Sequence, residues 1–393
     1  MEHPEKTARS IFSLIVAASL IALAVVGSSC GTKSLSKDMQ EKLNAAMDHV
    51  LAQTGAPGCI AGVFTPDGEW FEAKGEADVE AGIPMKTTDP MRIGSITKSF
   101  TSTVILQLCD EGKLKLDDRL SKYVPDFPNA DRITVYQLLC HTSGLMTWEE
   151  IESVRLGIKE SPEGWTIEKL IKIIGEQPLL SEPGTEYHYS NINYFLLGMI
   201  IEKVTGSTLE KQIELRITEP LDMKKTFLAD RPSFEGETVH GYYSENGKLV
   251  DATGTAYAKA VNYELAWSAG GMVSTVEDLK VWAKALATGE LLSESMHAEQ
   301  VGKKTEMSGD PPVKSRYGMG MAQIDEWVGS NGAVAGYQCN MFYYPEKDTT
   351  VITFFNKLNP YDLEENTAEL KAYMANFMEL SKILYPKTFP GVK

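Results

Sequence analysis

Arg92-Ile93-Gly94-Ser95-Ile96-Thr97-Lys98-Ser99-Phe100-Thr101 is the stretch on which the reading of this chain turns. Ser95 and Lys98 are three residues apart, the spacing that puts two side chains on one face of a helix. Phe100, Val104, Ile105, Leu106 and Leu108 continue in a helical pattern that ends near Gly112. An amine held beside a hydroxyl makes a serine nucleophilic without histidine. The bland alternative is a helix start followed by a solvated lysine. The same pattern recurs from Ser34 to Lys37 in a polar stretch that reads as linker, so the motif alone is a weak signal.

On the N-terminal side lies an apolar run, Ile11 to Val26, preceded by Lys6 and Arg9 and followed by Gly27-Ser28-Ser29-Cys30. Sixteen residues are short for a membrane span and fit a signal-peptide core. The small residues before Cys30 resemble a lipoprotein cleavage site with Cys30 lipidated. Simple cleavage after Ser29 and retention as an anchor stay open. All three place the folded part outside the cytoplasm, as a membrane-anchored lipoprotein or as a periplasmic or secreted protein. The expected organisation is a signal segment (1–30), a linker (31–36) and one domain (37–386).

The chain has 393 residues, 38 Lys and Arg against 54 Asp and Glu, and a formal charge of -16. That balance argues against a nucleic-acid partner, because phosphate contacts need basic surface. Besides Cys30 there are Cys59, Cys109, Cys140 and Cys339, with no Cys-x-x-Cys. Zinc and redox sites are therefore not suggested, and free buried thiols are expected.

Downstream of a helix over 37–53, Gly58 to Phe64 and Glu69 to Lys74 read as strands across the turn Pro66-Asp67-Gly68. Ile133 to Cys140 reads as a helix running into His141-Thr142-Ser143-Gly144. Residues 145 to 295 alternate helices with loops, one of them started by a capping box from Ser274 to Glu277. Tyr317 to Trp327, Gly332 to Tyr344 and Thr350 to Phe355 read as strands, and Leu363 to Leu384 as a closing helix. This order predicts an α+β fold in which both chain ends share an antiparallel sheet flanked by helices. The sheet lobe takes about 37–112 and 312–386, and a mostly helical lobe, about 113–311, is inserted between them.

Three segments then belong together: Ser95 to Lys98; Tyr189-Ser190-Asn191, the only Tyr-x-Asn in the chain; and Gly329-Ser330-Asn331-Gly332-Ala333. In this order they resemble the serine β-lactamase and penicillin-binding superfamily, in the branch of class C β-lactamases, D-alanyl-D-alanine carboxypeptidases and related esterases. The resemblance runs from about 40 to 380. It also takes in Leu139 to Leu145, Glu182 to Thr185, Ser268 to Met272 and Tyr317 to Gly320. It implies a β-lactamase/transpeptidase-like fold and an acyl-enzyme on Ser95. Lys98 and Tyr189 would do the acid–base work, and Asn191 would bind a substrate carbonyl and hold Lys98. Ser330, Asn331 and Gly332 would line the substrate site, and the backbone N–H groups of Ser95 and Ala333 would form the oxyanion hole. No metal or organic cofactor is implied. His141 and His188 are expected to be structural.

The third segment departs from the family, which usually has Lys or His where this chain has Ser330. Serine donates a hydrogen bond but carries no charge, so recognition of a substrate carboxylate is in doubt. Lys303, Lys304, Lys314 and Arg316 are the nearby cations in sequence. The expected activity is hydrolysis of amide or ester bonds of a small molecule or a peptidoglycan stem peptide, as a D-alanyl-D-alanine carboxypeptidase or β-lactamase-like enzyme. A carboxylesterase, a D-amino-acid amidase and a non-catalytic wall-binding lipoprotein remain as alternatives.

Overall fold

The computed structural model describes residues 33–229, 237–302, 305–307, 315–360 and 363–389. The signal segment and Cys30 lie outside them, as do Lys303, Lys304 and Lys314. Lys33–Lys393 forms one compact unit.

Among the described residues nine strands make the main sheet: β1 (Gly58–Thr65), β2 (Gly68–Asp78), β3 (Ile83–Pro84), β4 (Thr305–Glu306), β5 (Ser315–Tyr317), β6 (Ala322–Ile324), β7 (Trp327–Val334), β8 (Tyr337–Tyr344) and β9 (Thr349–Phe355). Their spatial order is β3-β2-β1-β9-β8-β7-β6-β5-β4. The N-terminal hairpin meets the C-terminal strands where β1 runs antiparallel to β9, with Gly62 opposite Ile352. The two ends of the chain thus share one sheet.

Side chains along a strand alternate between faces, and here both faces are buried. Cys59, Ala61 and Val63 of β1 join Val351 and Phe355 of β9 in one core, which the helices Lys37–Thr54 and Leu363–Leu384 close with Leu43, Met47, Tyr373 and Phe377. Ile60, Ile352 and Phe354 face the other way, into a larger core shared with Phe100, Val104 and Leu108 of the helix Thr97–Asp110. Burial on both faces explains why these strands read as unbroken apolar runs rather than alternating ones.

Several local expectations shift. The strand predicted over 317–327 is broken twice, at residues 318–321 and at the turn Asp325-Glu326, and the one over 332–344 is two strands joined at Ala335-Gly336. Turn geometry, not hydrophobicity, decides these breaks. The helix cap predicted at Ser274 is made one residue later: Thr275 accepts from Asp278 N at 3.3 Å, and the helix runs Val276–Thr288. The inserted region also carries short strands, including Met272–Ser274, which pairs with Met91–Arg92 from the segment before Ser95. Cys59, Cys109, Cys140 and Cys339 are free thiols.

The helix Thr97–Asp110 passes through the middle of the molecule, so even its hydroxyls are buried and must find partners. Thr101 donates to Ser268 O at 2.8 Å, Ser102 Oγ lies 3.0 Å from Tyr194 Oη, and Trp282 Nε1 donates to Ser99 Oγ at 2.8 Å. This bonding locks the helix in rotation and so fixes the direction in which Lys98 points.

Candidate active site

Ser95 sits in a 3₁₀ turn, Gly94–Ile96, immediately before that helix, rather than as its first α-helical residue. It is half-buried, with its hydroxyl at the floor of a cleft. The turn lies against β7 at a point where β7 has lost its strand partner on that side: β6 pairs with β7 only as far as Gly329. Two glycines permit the approach. Gly94 has φ +50°, and a Cβ there would lie 2.5 Å from Ala333 N. A Cβ on Gly332 would lie 1.9 Å from Ile93 O and 2.7 Å from Ser95 N. The backbones that carry the Ser95 and Ala333 amides are therefore packed against each other beside the Ser95 hydroxyl.

Lys98 is buried, and its Nζ has three oxygen partners: Ser95 Oγ at 3.0 Å, Asn191 Oδ1 at 2.7 Å and Ala269 O at 2.8 Å. A neutral amine has two N–H groups and one lone pair. Asn191 Oδ1 and Ala269 O can only accept, so they take the two N–H groups. The lone pair is left for the hydroxyl proton of Ser95. Burial lowers the Lys98 pKa from its ordinary 10.5 to about 7, against a smaller upward pull from the Glu149 carboxylate.

Tyr189 Oη lies 2.7 Å from Ser95 Oγ on its other flank. Burial pushes the phenol well above its usual range, so it stays protonated and can give a hydrogen bond or a proton. Asn191 is the first residue of the helix Asn191–Thr205. With its oxygen turned to Lys98, its Nδ2 donates to the carboxylate of Glu149, which also accepts from Thr147 Oγ1. Burial raises the Glu149 pKa.

Glu149 is the site residue that the sequence reading missed. It lies in the short turn Trp148–Glu150, and no motif spacing ties that turn to Ser95. The acidic pair Glu149-Glu150 just after His141-Thr142-Ser143-Gly144-Leu145 was the one available signal.

Two lobes of the cleft meet at Ser95, Glu149, Asn191 and Ala333. One has a volume of about 650 Å³ and is bounded by Glu150, Tyr187, His188, Tyr189, Ser330 and Asn331. The other is smaller, about 180 Å³, and mostly apolar, with Trp148, Tyr257, Val261, Leu265, Ala266 and Val334. A larger cavity, about 850 Å³ beside Trp165, Lys203 and Trp267, does not reach Ser95.

Ser330 is buried at the wall of the first lobe, opposite Met341, and its hydroxyl makes a 3.4 Å contact with Asn331 O. His188 Nε2 lies 3.0 Å from the Glu150 carboxylate. Arg316 is exposed and pairs across strands with Glu306 and Gln323, outside the lining of either lobe. Lys98 is the only lysine or arginine among the described residues lining the cleft. No cluster of His, Cys, Asp or Glu among the described residues is arranged to hold a metal ion.

A family model described as Beta-lactamase matches residues 43–374. The chain belongs to this family. Its family is one of serine hydrolases, the type to which a D-stereospecific amidohydrolase and a penicillin-binding protein homologue among the solved structures belong. It is 32% identical over 257 residues to the protein flp of Staphylococcus aureus (strain MW2), covering 64% of this chain and 49% of the relative; this chain spans about half the length of that protein. Among solved structures it is similar to a D-stereospecific amidohydrolase from Streptomyces sp., with TM-score 0.71, 28% identity and coverage of 84% of this chain and 97% of the other. It is likewise similar to the octameric penicillin-binding protein homologue from Pyrococcus abyssi, with TM-score 0.70, 26% identity and coverage of 88% and 80%.

Proposed function

We propose that this family member is an acyl-serine amidase that prefers substrates with a free amine on the acyl side and no requirement for a terminal carboxylate. The observation that carries the hydrolytic part is the bonding of Lys98: two N–H groups taken by acceptors, and a lone pair aimed at Ser95 Oγ. Neutral Lys98 takes the hydroxyl proton as Ser95 Oγ attacks the carbonyl carbon. The developing oxyanion lies against the Ser95 and Ala333 amides. The C–N bond then breaks, and the leaving amine takes the phenolic proton of Tyr189, which Lys98 replaces. Water repeats the sequence in reverse to free Ser95.

Tyr189 gives the leaving group its proton, so the leaving group lies in the larger lobe and the acyl side chain in the smaller apolar one. Glu149 stands between them with its carboxylate on Asn191 Nδ2. A substrate ammonium placed there gains a charge-assisted hydrogen bond. A blocked amine offers that carboxylate only a neutral amide N–H and no charge, so its hydrogen bond is the weaker one. The uncharged Ser330 supports the same preference, since it provides no cation for a leaving-group carboxylate. The likeness to a D-stereospecific amidohydrolase supports acyl groups of D configuration.

A D-alanyl-D-alanine carboxypeptidase activity is the second reading, supported by the likeness to a penicillin-binding protein homologue. A binding-only lipoprotein finds no support in a site where Ser95, Lys98, Tyr189 and Asn191 are all in bonding positions. We further propose export, with attachment through Cys30, which the mass of the mature N-terminal peptide tests.

The deciding experiment compares D-phenylalanine amide with N-acetyl-D-alanyl-D-alanine. A kcat/KM at least about tenfold higher for the amide supports the amidase; a ΔΔG‡ of about 1.4 kcal/mol corresponds to that ratio. Preference for the blocked dipeptide replaces it with the carboxypeptidase.

A further inference from the structure

Tyr189 lies in an irregular segment, 181–190, yet its hydroxyl must stay within hydrogen-bond reach of Ser95. What holds it is the turn that follows the helix Val135–Leu139. His141 O accepts from His188 N at 2.8 Å, and His141 Nδ1 accepts from Ser190 N at 3.1 Å. One residue therefore grips the backbone amides on both sides of Tyr189. The same turn continues the grip along the segment, with Gly184 N on Thr142 O at 2.7 Å and Leu180 N on Gly144 O at 2.8 Å.

The ring of His141 is as constrained as its backbone. It is fully buried, and its centroid lies 4.5 Å from that of Tyr189 at an interplanar angle of 33°. Tyr194 and Tyr317 are at 5.2 and 4.9 Å. Ser143 Oγ donates to Asn193 Oδ1 at 2.6 Å, which turns Asn193 Nδ2 to His141 Nδ1 at 3.1 Å. Nδ1 thus receives two N–H groups, and the ring proton belongs on Nε2. Nε2 is buried with no nitrogen or oxygen partner among the described residues. A second proton, on Nδ1, would face two donors, and burial independently drives the imidazole well below its usual range. The backbone of His141 is itself in the left-handed region, φ +56°, a conformation unusual for a residue with a side chain.

We propose that His141 is a positioning residue for Tyr189. Its carbonyl oxygen and Nδ1 hold the flanking amides, and its ring is the floor on which the phenol rests. It touches neither Ser95 nor substrate and acts only through Tyr189. The role assigned to Tyr189 rests on the acyl-serine reading above; the positioning itself does not.

The test is a double-mutant cycle with His141→Ala, His141→Asn and Tyr189→Phe. Asparagine tolerates the left-handed backbone and keeps an acceptor near the place of Nδ1. On an amide substrate, His141→Ala lowers kcat by about 100-fold with KM within about threefold, within the range of general acid–base catalysis. His141→Asn recovers about tenfold of that loss. In the Tyr189→Phe background both substitutions change kcat by less than about threefold. Equal losses in the two backgrounds, or a loss confined to KM, overturn the proposal. If His141→Ala does not fold, the cycle with His141→Asn decides by the same criterion.

A crystal structure of the His141 variant tests the positioning without any turnover. Tyr189 Oη displaced from Ser95 Oγ is expected; the 2.7 Å contact left intact overturns the proposal even if no substrate is turned over.

Discussion

Asn191 turns its carbonyl oxygen to Lys98, 2.7 Å from Nζ, a shorter separation than the 3.0 Å between Lys98 and Ser95. The amide of Asn191 thereby orients the lysine, and the carboxylate of Glu149 on its Nδ2 orients the amide. Lys98, beside Ser95, is the end of a chain of three side chains.

The pKa of about 7 for Lys98 gives a pH profile for acylation. The rate rises as the amine loses its proton and levels off above about pH 7. On the plateau above about pH 7, Lys98→Met loses about 100- to 10,000-fold, and the difference narrows as the wild-type rate falls at lower pH. Stability carries the same signature. Between about 7 and 10.5 the unfolded chain binds more protons at Lys98 than the folded one, so the folded protein gains stability as pH rises through that window. Lys98→Met flattens this rise. A pH–rate profile that is flat from 5 to 9 contradicts the assignment.

Glu149→Gln keeps a group that can hydrogen-bond Asn191 but removes the charge. The carboxylate raises the lysine pKa, so its loss moves the rising limb of the pH profile to lower pH. For D-phenylalanine amide KM increases about 10- to 100-fold, the scale of one lost charge-assisted hydrogen bond. For p-nitrophenyl acetate, which has no amine, the change stays within about threefold. Equal effects on both substrates would mean that Glu149 acts only through Asn191.

Ser330→Lys restores a cation at the wall of the larger lobe. Second-order acylation by benzylpenicillin rises about tenfold, measured by intact mass against time, through charge-assisted bonding to its carboxylate. No change in a folded variant that still turns over D-phenylalanine amide sinks the idea that Ser330 sets carboxylate discrimination.

Gly332→Ala puts a methyl group onto Ile93 O and Ser95 N, both main-chain atoms that cannot rotate away. Overpacking of this kind costs about 1–3 kcal/mol. Displacement of the Ser95 and Ala333 amides lowers kcat about 100-fold or more. Urea unfolding and steady-state kinetics read the two effects. A variant with native stability and native kcat is incompatible with the tight approach of the turn to β7.

The parts of the site legible in the sequence are those where chemistry and local spacing coincide. Ser95 and Lys98 are one helical turn apart, and Tyr189 and Asn191 flank a helix start, so each pair is placed by its own neighbourhood. The sheet shared by both chain ends was legible from the order of strand-like and helix-like runs. Glu149 was not, because a short turn between distant elements carries it, and only the packing of that turn against Asn191 gives it a role. Nor was the grip of His141 on Tyr189, which depends on a left-handed backbone and on hydrogen bonds between segments 47 to 49 residues apart. Strand ends suffered for a related reason: Gly318–Gly320 and Ala335-Gly336 break apolar runs by turning, with little change in hydrophobicity.

The most direct test of the account is the covalent intermediate. The wild-type protein and Ser95→Ala are mixed with D-phenylalanine p-nitrophenyl ester, quenched in acid within about a second and measured as intact proteins, with peptide mapping of any adduct; covalent intermediates of this kind accumulate in a burst. The account predicts a single phenylalanyl group on Ser95 in the wild type and none in the variant. An adduct on another residue, or ester turnover that survives Ser95→Ala, contradicts it.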